Sequence, residues 1–243
     1  MSKFFAIFGR EISALFLSPV AYVTAVIFVA ASSWTFLQAV ETNTGKDENL
    51  IMLLMISVLI WTPILITVVC MRLFAEEKRS GTLETLMTTA VSERAVVLGK
   101  YFGALFFVWL VMAPAVGLVF YFVSRSPGIE RVDVYALAGG CVILALVSIA
   151  CVAIGLLVSL LTRNQIVAAI CCFAAICVPF FLKSVVFAVP VISDRIVDYL
   201  SLENQLLSFI QGTLSLQVVV LYLSVAVLML FTSIRVLESR RWI

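Results

Sequence analysis

Residues 50–71 read LIMLLMISVLIWTPILITVVCM, a run that contains no charged side chain. A helix that crosses the roughly 30 Å hydrocarbon core of a bilayer at 1.5 Å per residue needs about 20 apolar residues. The run is therefore long enough to span a membrane. Comparable stretches lie before and after it, and we predict six spans, at about 20–40, 50–71, 101–124, 134–162, 166–183 and 214–234.

The composition of the whole chain agrees with this interpretation. Of its 243 residues, 63% are hydrophobic and 12% are charged, whereas a soluble domain carries about 25% charged residues. We predict an all-α integral membrane protein whose residues 1–243 form a single transmembrane domain. The net charge of +2 gives no reason to expect a nucleic-acid partner.

The residues that are missing exclude several classes of function. The chain has no histidine, which rules out imidazole catalysis and His-ligated metals. No acidic or basic residue lies deep in a predicted span, although such residues mark ion-coupled transporters and proton relays. We predict a non-enzymatic protein with no catalytic residue, no metal ligand and no cofactor site.

The basic residues predict the orientation in the membrane, because cytoplasmic loops carry an excess of Lys and Arg. With the N-terminus inside, eleven basic residues face the cytoplasm and five face outward. We therefore predict that both termini are cytoplasmic.

An amphipathic helix is predicted at residues 1–18. One side of its helical wheel is apolar and the other is polar, and the helix should break before Pro19. Its apolar side carries Phe4, Phe5, Ile7, Phe8, Ile12, Leu15 and Phe16. Such a helix lies in the membrane interface, and a surface helix with no further role is an open alternative.

The loop at residues 72–100, between the second and third spans, holds nine of the 30 charges. We expect the helix of the second span to continue through Arg79 and to end at Gly81. Thr82 can then begin a short helix, Leu83–Thr89, and Ser92 can begin the next one. The short helix has an apolar stripe (Leu83, Leu86 and Met87) that suits a groove on a partner protein, or it rests on the headgroups.

The sequence of this loop resembles a known family. Residues 71–87 read MRLFAEEKRSGTLETLM and residues 97–101 read VLGKY, while the N-terminal part has Arg10-Glu11 and then FLSPVAY at 16–22. Together they are similar to the permease subunits of type-2 ABC exporters (the ABC-2 family). The nearest branch looks like the compact permeases of gliding motility and nitrous-oxide-reductase maturation.

The resemblance implies a transport unit of two permeases, a homodimer or a related heterodimer, and two copies of a cytoplasmic ABC ATPase that binds the ATP. It also implies that residues 1–18 form a connecting helix, and that the chain lies in the inner (cytoplasmic) membrane. The coupling helix, seated on the ATPase, would follow the second span. The expected ATPase-coupling residues are Arg72, Glu76, Glu77, Gly81, Thr82, Leu83, Glu84, Leu86 and Met87.

Two further expectations complete the prediction. The external segment 184–213 is expected to form one or two short amphipathic helices or a surface loop, and Pro63 and Pro114 should kink the second and third spans. The leading hypothesis is an export permease whose second and third spans rotate about these prolines. The alternative is a membrane anchor or assembly scaffold that transports nothing.

Overall fold

The structure is a computed structural model that describes residues 3–42, 50–81, 92–125, 134–188, 201–213 and 215–239. Within these ranges it consists of helices joined by short turns, and the described residues contain no β-strand. The helices are α1 (Lys3–Phe16), α2 (Pro19–Thr42), α3 (Leu50–Leu73), α4 (Ala75–Ser80), α5 (Glu93–Arg125), α6 (Val134–Leu161), α7 (Gln165–Ala188), α8 (Leu202–Ile210) and α9 (Leu216–Ser239).

Five of the helical stretches are long and apolar enough to cross a membrane. They are Pro19–Thr42, Leu50–Arg79, Glu93–Leu118, Tyr135–Leu161 and Leu216–Ser239. The chain is therefore a multi-pass membrane protein, and the part of it that the structure describes is helical. In α7 the apolar helical part found is shorter, Gln165–Phe180, so the sixth span stays a prediction, as does the cytoplasmic side of the termini.

The end of α7 differs from the boundary expected from the sequence. We expected a span that ends near Lys183, because a lysine usually stops an apolar run at the headgroups. The helix instead continues to Ala188, so the start of the expected external segment 184–213 is helical. A charge limits where the hydrocarbon ends, but it does not interrupt the hydrogen bonds of a helix.

Helix α3 lies at the centre of the bundle. It packs against α2, α5, α6, α7 and α8, and residues such as Met55, Val58 and Ile66 are completely buried. In contrast, α2 and α9 expose large apolar side chains, among them Trp34 and Phe231. Apolar side chains that point outward suit a protein surrounded by lipid tails.

Helix α8 lies within segment 184–213, for which we expected one or two short amphipathic helices. The Ser201 side chain accepts a hydrogen bond from the Asn204 backbone N–H, as is typical at a helix N-terminus. Leu206 and Phe209 are buried against α6, where the Phe209 carbonyl lies next to Gly139. Residues 189–200, which would contain a second short helix, lie outside the described residues.

Candidate functional site

Helix α1 packs along the first turns of α5 rather than only resting at the membrane surface. Two glycines of α5 allow this close approach, because a Cβ at Gly99 would lie 2.8 Å from Ile7 Cγ2 and one at Gly103 would lie 3.0 Å from Glu11 Cβ. Edge-to-face ring contacts extend the interface, at 6.4 Å between the centroids of Phe8 and Phe106 and at 5.8 Å between Phe16 and Phe107. Glycines four residues apart allow such packing between helices.

The same interface buries an ion pair. Glu11 lies on the face of α1 that meets α5, and its side chain is 9% exposed. Lys100 on α5 donates a hydrogen bond from Nζ to Glu11 Oε1 at 2.8 Å, and the lysine side chain is 1% exposed. This lysine ammonium also lies 5.2 Å from the centre of the Phe74 ring, a distance at which a cation is attracted to an aromatic face.

Glu77 on α4 binds the same lysine. Its Oε1 lies 2.9 Å from Lys100 Nζ and 2.8 Å from Arg10 Nη2, while Arg10 Nη2 is also 3.4 Å from Glu11 Oε1. We call Arg10, Glu11, Glu77 and Lys100 the charged cluster. Its two cations and two carboxylates balance, which offsets part of the desolvation cost of several kcal/mol for each buried ion.

The charged cluster therefore joins three helices at one place. Arg10 and Glu11 come from α1, Glu77 comes from α4, and Lys100 comes from α5. Helices α4 and α5 are the two flanks of segment 82–91, which connects Gly81 to Ser92. The cluster consequently lies at the base of that segment.

The helix of the second span does not continue without a break through Arg79, as we expected, because α3 ends at Leu73 and α4 begins at Ala75. The backbone N–H groups of Phe74 and Ala75 donate to Ser159 Oγ on α6, at 3.1 and 3.2 Å. These bonds supply a side-chain acceptor to two backbone donors at the junction of α3 and α4. A side chain that inserts into the backbone ladder in this way breaks a helix.

A lysine anchors α4 to the turn between α6 and α7. Lys78 Nζ donates to the backbone carbonyl of Leu160 and, at 3.3 Å, to that of Thr162. Leu160 lies in the last turn of α6 and Thr162 directly follows its end, where backbone acceptors have no partner within the helix and cations are favoured. Helix α4 is thus held by α6 on one side and by the charged cluster on the other.

The expected coupling residues that the structure describes divide into two environments. Arg72 is partly buried and donates from Nη1 to Ser18 Oγ at 2.6 Å, and its Nε is 4.0 Å from Glu76 Oε2. The Glu76 side chain is 55% exposed, while that of Glu77 is 17% exposed and directed into the charged cluster. Two adjacent glutamates therefore have opposite surroundings.

The boundaries of segment 82–91 agree with the sequence. Helix α4 ends at Gly81, which has the left-handed φ of 72°, a conformation that glycine adopts without steric cost. Helix α5 begins at Glu93, and the Ser92 carbonyl accepts from the backbone N–H groups of Ala95 and Val96. The other expected coupling residues lie outside the described residues, namely Thr82, Leu83, Glu84, Leu86 and Met87.

The two prolines lie inside long helices, Pro63 in α3 and Pro114 in α5. Pro63 is buried, while Pro114 lines an apolar groove of about 580 Å³ between α2 and α5. Each proline removes one backbone hydrogen bond from its helix. The kinks themselves, and movement about them, stay predictions.

Sequence reasoning missed the charged cluster. It used Arg10, Glu11 and Lys100 as residues of the family resemblance and predicted no contact between them. It also gave Glu11 no place on the helical wheel. The available signal was that Glu11 follows Ile7 by four residues and therefore shares its face of the helix. A single acid on that face requires a buried cation.

Comparison with known proteins gives one finding. A family model described as ABC-2 family transporter protein matches residues 12–179, more than half of the chain. The match extends from the middle of α1 through most of α7. Among curated proteins, no match to the chain is found.

Proposed function

This chain belongs to the ABC-2 family of transporter proteins, and from that premise we propose that it is the export permease of an ABC transporter. In this proposal the chain lines the translocation path, and a separate ATPase supplies the energy. The family supports a membrane subunit that works with a cytoplasmic ATPase. The side of the membrane, the export direction and the stoichiometry of two permeases with two ATPases belong to the proposal.

One observation carries this function. The charged cluster ties both flanks of segment 82–91, α4 and α5, to the amphipathic helix α1. A force applied to this segment would therefore reach the start of α5 and, through α4, the end of the central helix α3. These are two of the helices that are long enough to cross the membrane.

We assign the contact with the ATPase to segment 82–91 and to the exposed residues beside it. Leu83, Leu86 and Met87 would bury their apolar side chains in a groove of the ATPase, and Glu84 would lie at the rim of that contact. Glu76 has an exposed carboxylate next to the segment. Closure of the ATPase pair would press on this surface and rotate α3 and α5 about Pro63 and Pro114.

Co-purification tests the assignment. The tagged full chain is purified from its native membranes, and the associated proteins are identified by mass spectrometry. We expect an ABC ATPase to be recovered, and we expect the double variant Glu84→Arg with Leu86→Asp to release it. The matched control is Glu203→Arg, which reverses a charge on the exposed surface of α8 and should leave the ATPase bound.

The outcomes separate the proposal from the alternatives. Recovery of no ATPase with the wild-type chain would overturn the permease function. Retention of the ATPase by the double variant would overturn the docking surface. A membrane anchor would bind the ATPase, yet ATP with vanadate would leave the amide hydrogen exchange of α3 and α5 unchanged in nanodiscs, whereas a permease should show a change near Pro63 and Pro114.

A further inference from the structure

The adjacent residues Glu76 and Glu77, at the base of segment 82–91, differ in exposure and in binding partners. Both lie in the first turn of α4, but the Glu76 side chain is 55% exposed and that of Glu77 is 17% exposed. Glu77 Oε1 has two cations within 2.9 Å, Arg10 and Lys100. This oxygen of Glu77 is therefore already bound by partners within the chain.

The pair of Glu77 and Lys100 joins the two flanks of segment 82–91. Glu77 lies four residues before Gly81, where α4 ends, and Lys100 lies in the second turn of α5. The 2.9 Å contact between Glu77 Oε1 and Lys100 Nζ therefore closes the base of the segment. The lysine side chain is 1% exposed, so water weakens this contact little.

Helix α1 completes the charge balance of this pair. Glu11 is the second acceptor for Lys100, and Arg10 is the second donor to Glu77. Ile7 packs on Gly99 and Phe8 contacts Phe106 independently of these charges, so α1 does not need the ions merely to stay on α5. Apolar residues of similar volume can replace a buried ion network with little loss of stability, or even a gain.

We propose that Glu77 and Lys100 are positioning residues that hold the flanks of segment 82–91 to each other and to α1, so that a displacement of the segment moves α1 with it. This inference rests on the proposed function, because it requires an ATPase seated on the segment. It assigns α1 a place in the transmission of movement and removes Glu77 from the surface that touches the ATPase.

The experiment compares two substitutions of glutamate by glutamine, one in the charged cluster and one on α8, outside the proposed contact with the ATPase. The complex of the full chain with its co-purified ATPase is placed in nanodiscs, and amide hydrogen exchange is measured with and without ATP and vanadate. In the wild type, and in the control Glu203→Gln on the exposed surface of α8, we expect ATP to change the exchange of residues 3–16. In Glu77→Gln the ATPase should still co-purify and the exchange of residues 82–91 should still respond, while the response of residues 3–16 is lost.

Two further variants separate positioning from folding. Lys100→Arg keeps a donor for both carboxylates and should retain the response of α1. If Glu77→Gln leaves Lys100 too poorly paired to fold, Glu77→Gln with Lys100→Met removes both partners and leaves Arg10 to pair with Glu11. This double variant should bind the ATPase and lack the response of α1, as a purely stabilising role would not predict.

Each contrary outcome has one meaning. If ATP still changes the amide hydrogen exchange of α1 in Glu77→Gln or in the double variant, the positioning role is wrong. If Glu77→Gln folds but releases the ATPase, Glu77 is a docking residue and the positioning role is again wrong, although the proposed function stands. If the wild-type chain binds no ATPase, the proposed function itself fails.

Discussion

The two ends of the bundle are fastened by different chemistry. At one end, where segment 82–91 begins, the charged cluster places two cations and two carboxylates among α1, α4 and α5. At the other end, α8 is held by apolar residues such as Phe209 and by a neutral hydrogen bond of 2.5 Å from Tyr222 Oη to Gln205 Oε1. Gly139, beside Phe209, and Ser159, beside α4, are 20 residues apart on α6, which is about 30 Å.

The difference shows two kinds of contact by which a short helix is attached to this bundle. Helix α8 is attached by the buried side chains Leu206 and Phe209 and by the hydrogen bond from Tyr222 to Gln205, and these contacts do not carry the desolvation cost of the charged cluster. What the ions add is a fixed geometry, because each donor and acceptor has a defined partner and distance. Fixed geometry is useful at the end that we propose receives movement from an ATPase.

Among the variants that test this contrast between the two ends, we expect Lys100→Met to give the largest loss of stability. The substitution leaves the Glu11 and Glu77 carboxylates buried beside a single arginine, so we expect a loss of about 3–5 kcal/mol in the free energy of unfolding. Equilibrium unfolding in mild detergent titrated with a denaturing detergent measures it. A loss below about 1 kcal/mol would show that the charged cluster is hydrated and weak.

The second-largest loss of stability is expected at the break between α3 and α4. Ser159→Ala removes the hydroxyl that accepts from the Phe74 and Ala75 N–H groups. Buried donors without an acceptor cost about 1–3 kcal/mol, and the same unfolding titration should show a loss in this range. Ser224→Ala is the matched control, since that hydroxyl is exposed on α9 and bonds within its own helix; equal losses for the two variants would contradict the role of Ser159.

A smaller effect is expected at the opposite end of the bundle. Tyr222→Phe removes the hydroxyl that donates to Gln205 and should cost about 1 kcal/mol. A loss as large as that of Lys100→Met would contradict the contrast between the ends. The same unfolding titration, applied to Tyr222→Phe and Lys100→Met, compares the two losses.

The smallest effect should come from an exposed ion pair on α9. Arg235 and Glu238 are 2.9 Å apart, but the arginine side chain is 63% exposed, and such pairs contribute about 0–1 kcal/mol. Arg235→Met should therefore unfold almost like the wild type. A loss of several kcal/mol would mean that the removal of any charge destabilises this protein, and the result for Lys100→Met would then carry no specific information.

Much of the fold follows from local sequence, and the charged cluster does not. Each apolar run predicts a helix from its own residues, and Gly81 and Ser92 mark helix ends through backbone chemistry that neighbours do not alter. The pairing of Glu11 with Lys100 instead depends on how α1 packs on α5. The interruption at Phe74 likewise depends on a hydroxyl from α6, Ser159, that no pattern around residue 74 contains.

The most direct test of the account is a double-mutant cycle between Glu77 and Lys100, measured by equilibrium unfolding of the wild type, Glu77→Gln, Lys100→Met and the double variant. The account predicts strong coupling, of about 1.5 kcal/mol or more, because the two side chains pair at 2.9 Å in a buried site. The account is contradicted if the losses of the two single variants add up to the loss of the double variant within about 0.5 kcal/mol. The flanks of segment 82–91 would then not be held together by this pair.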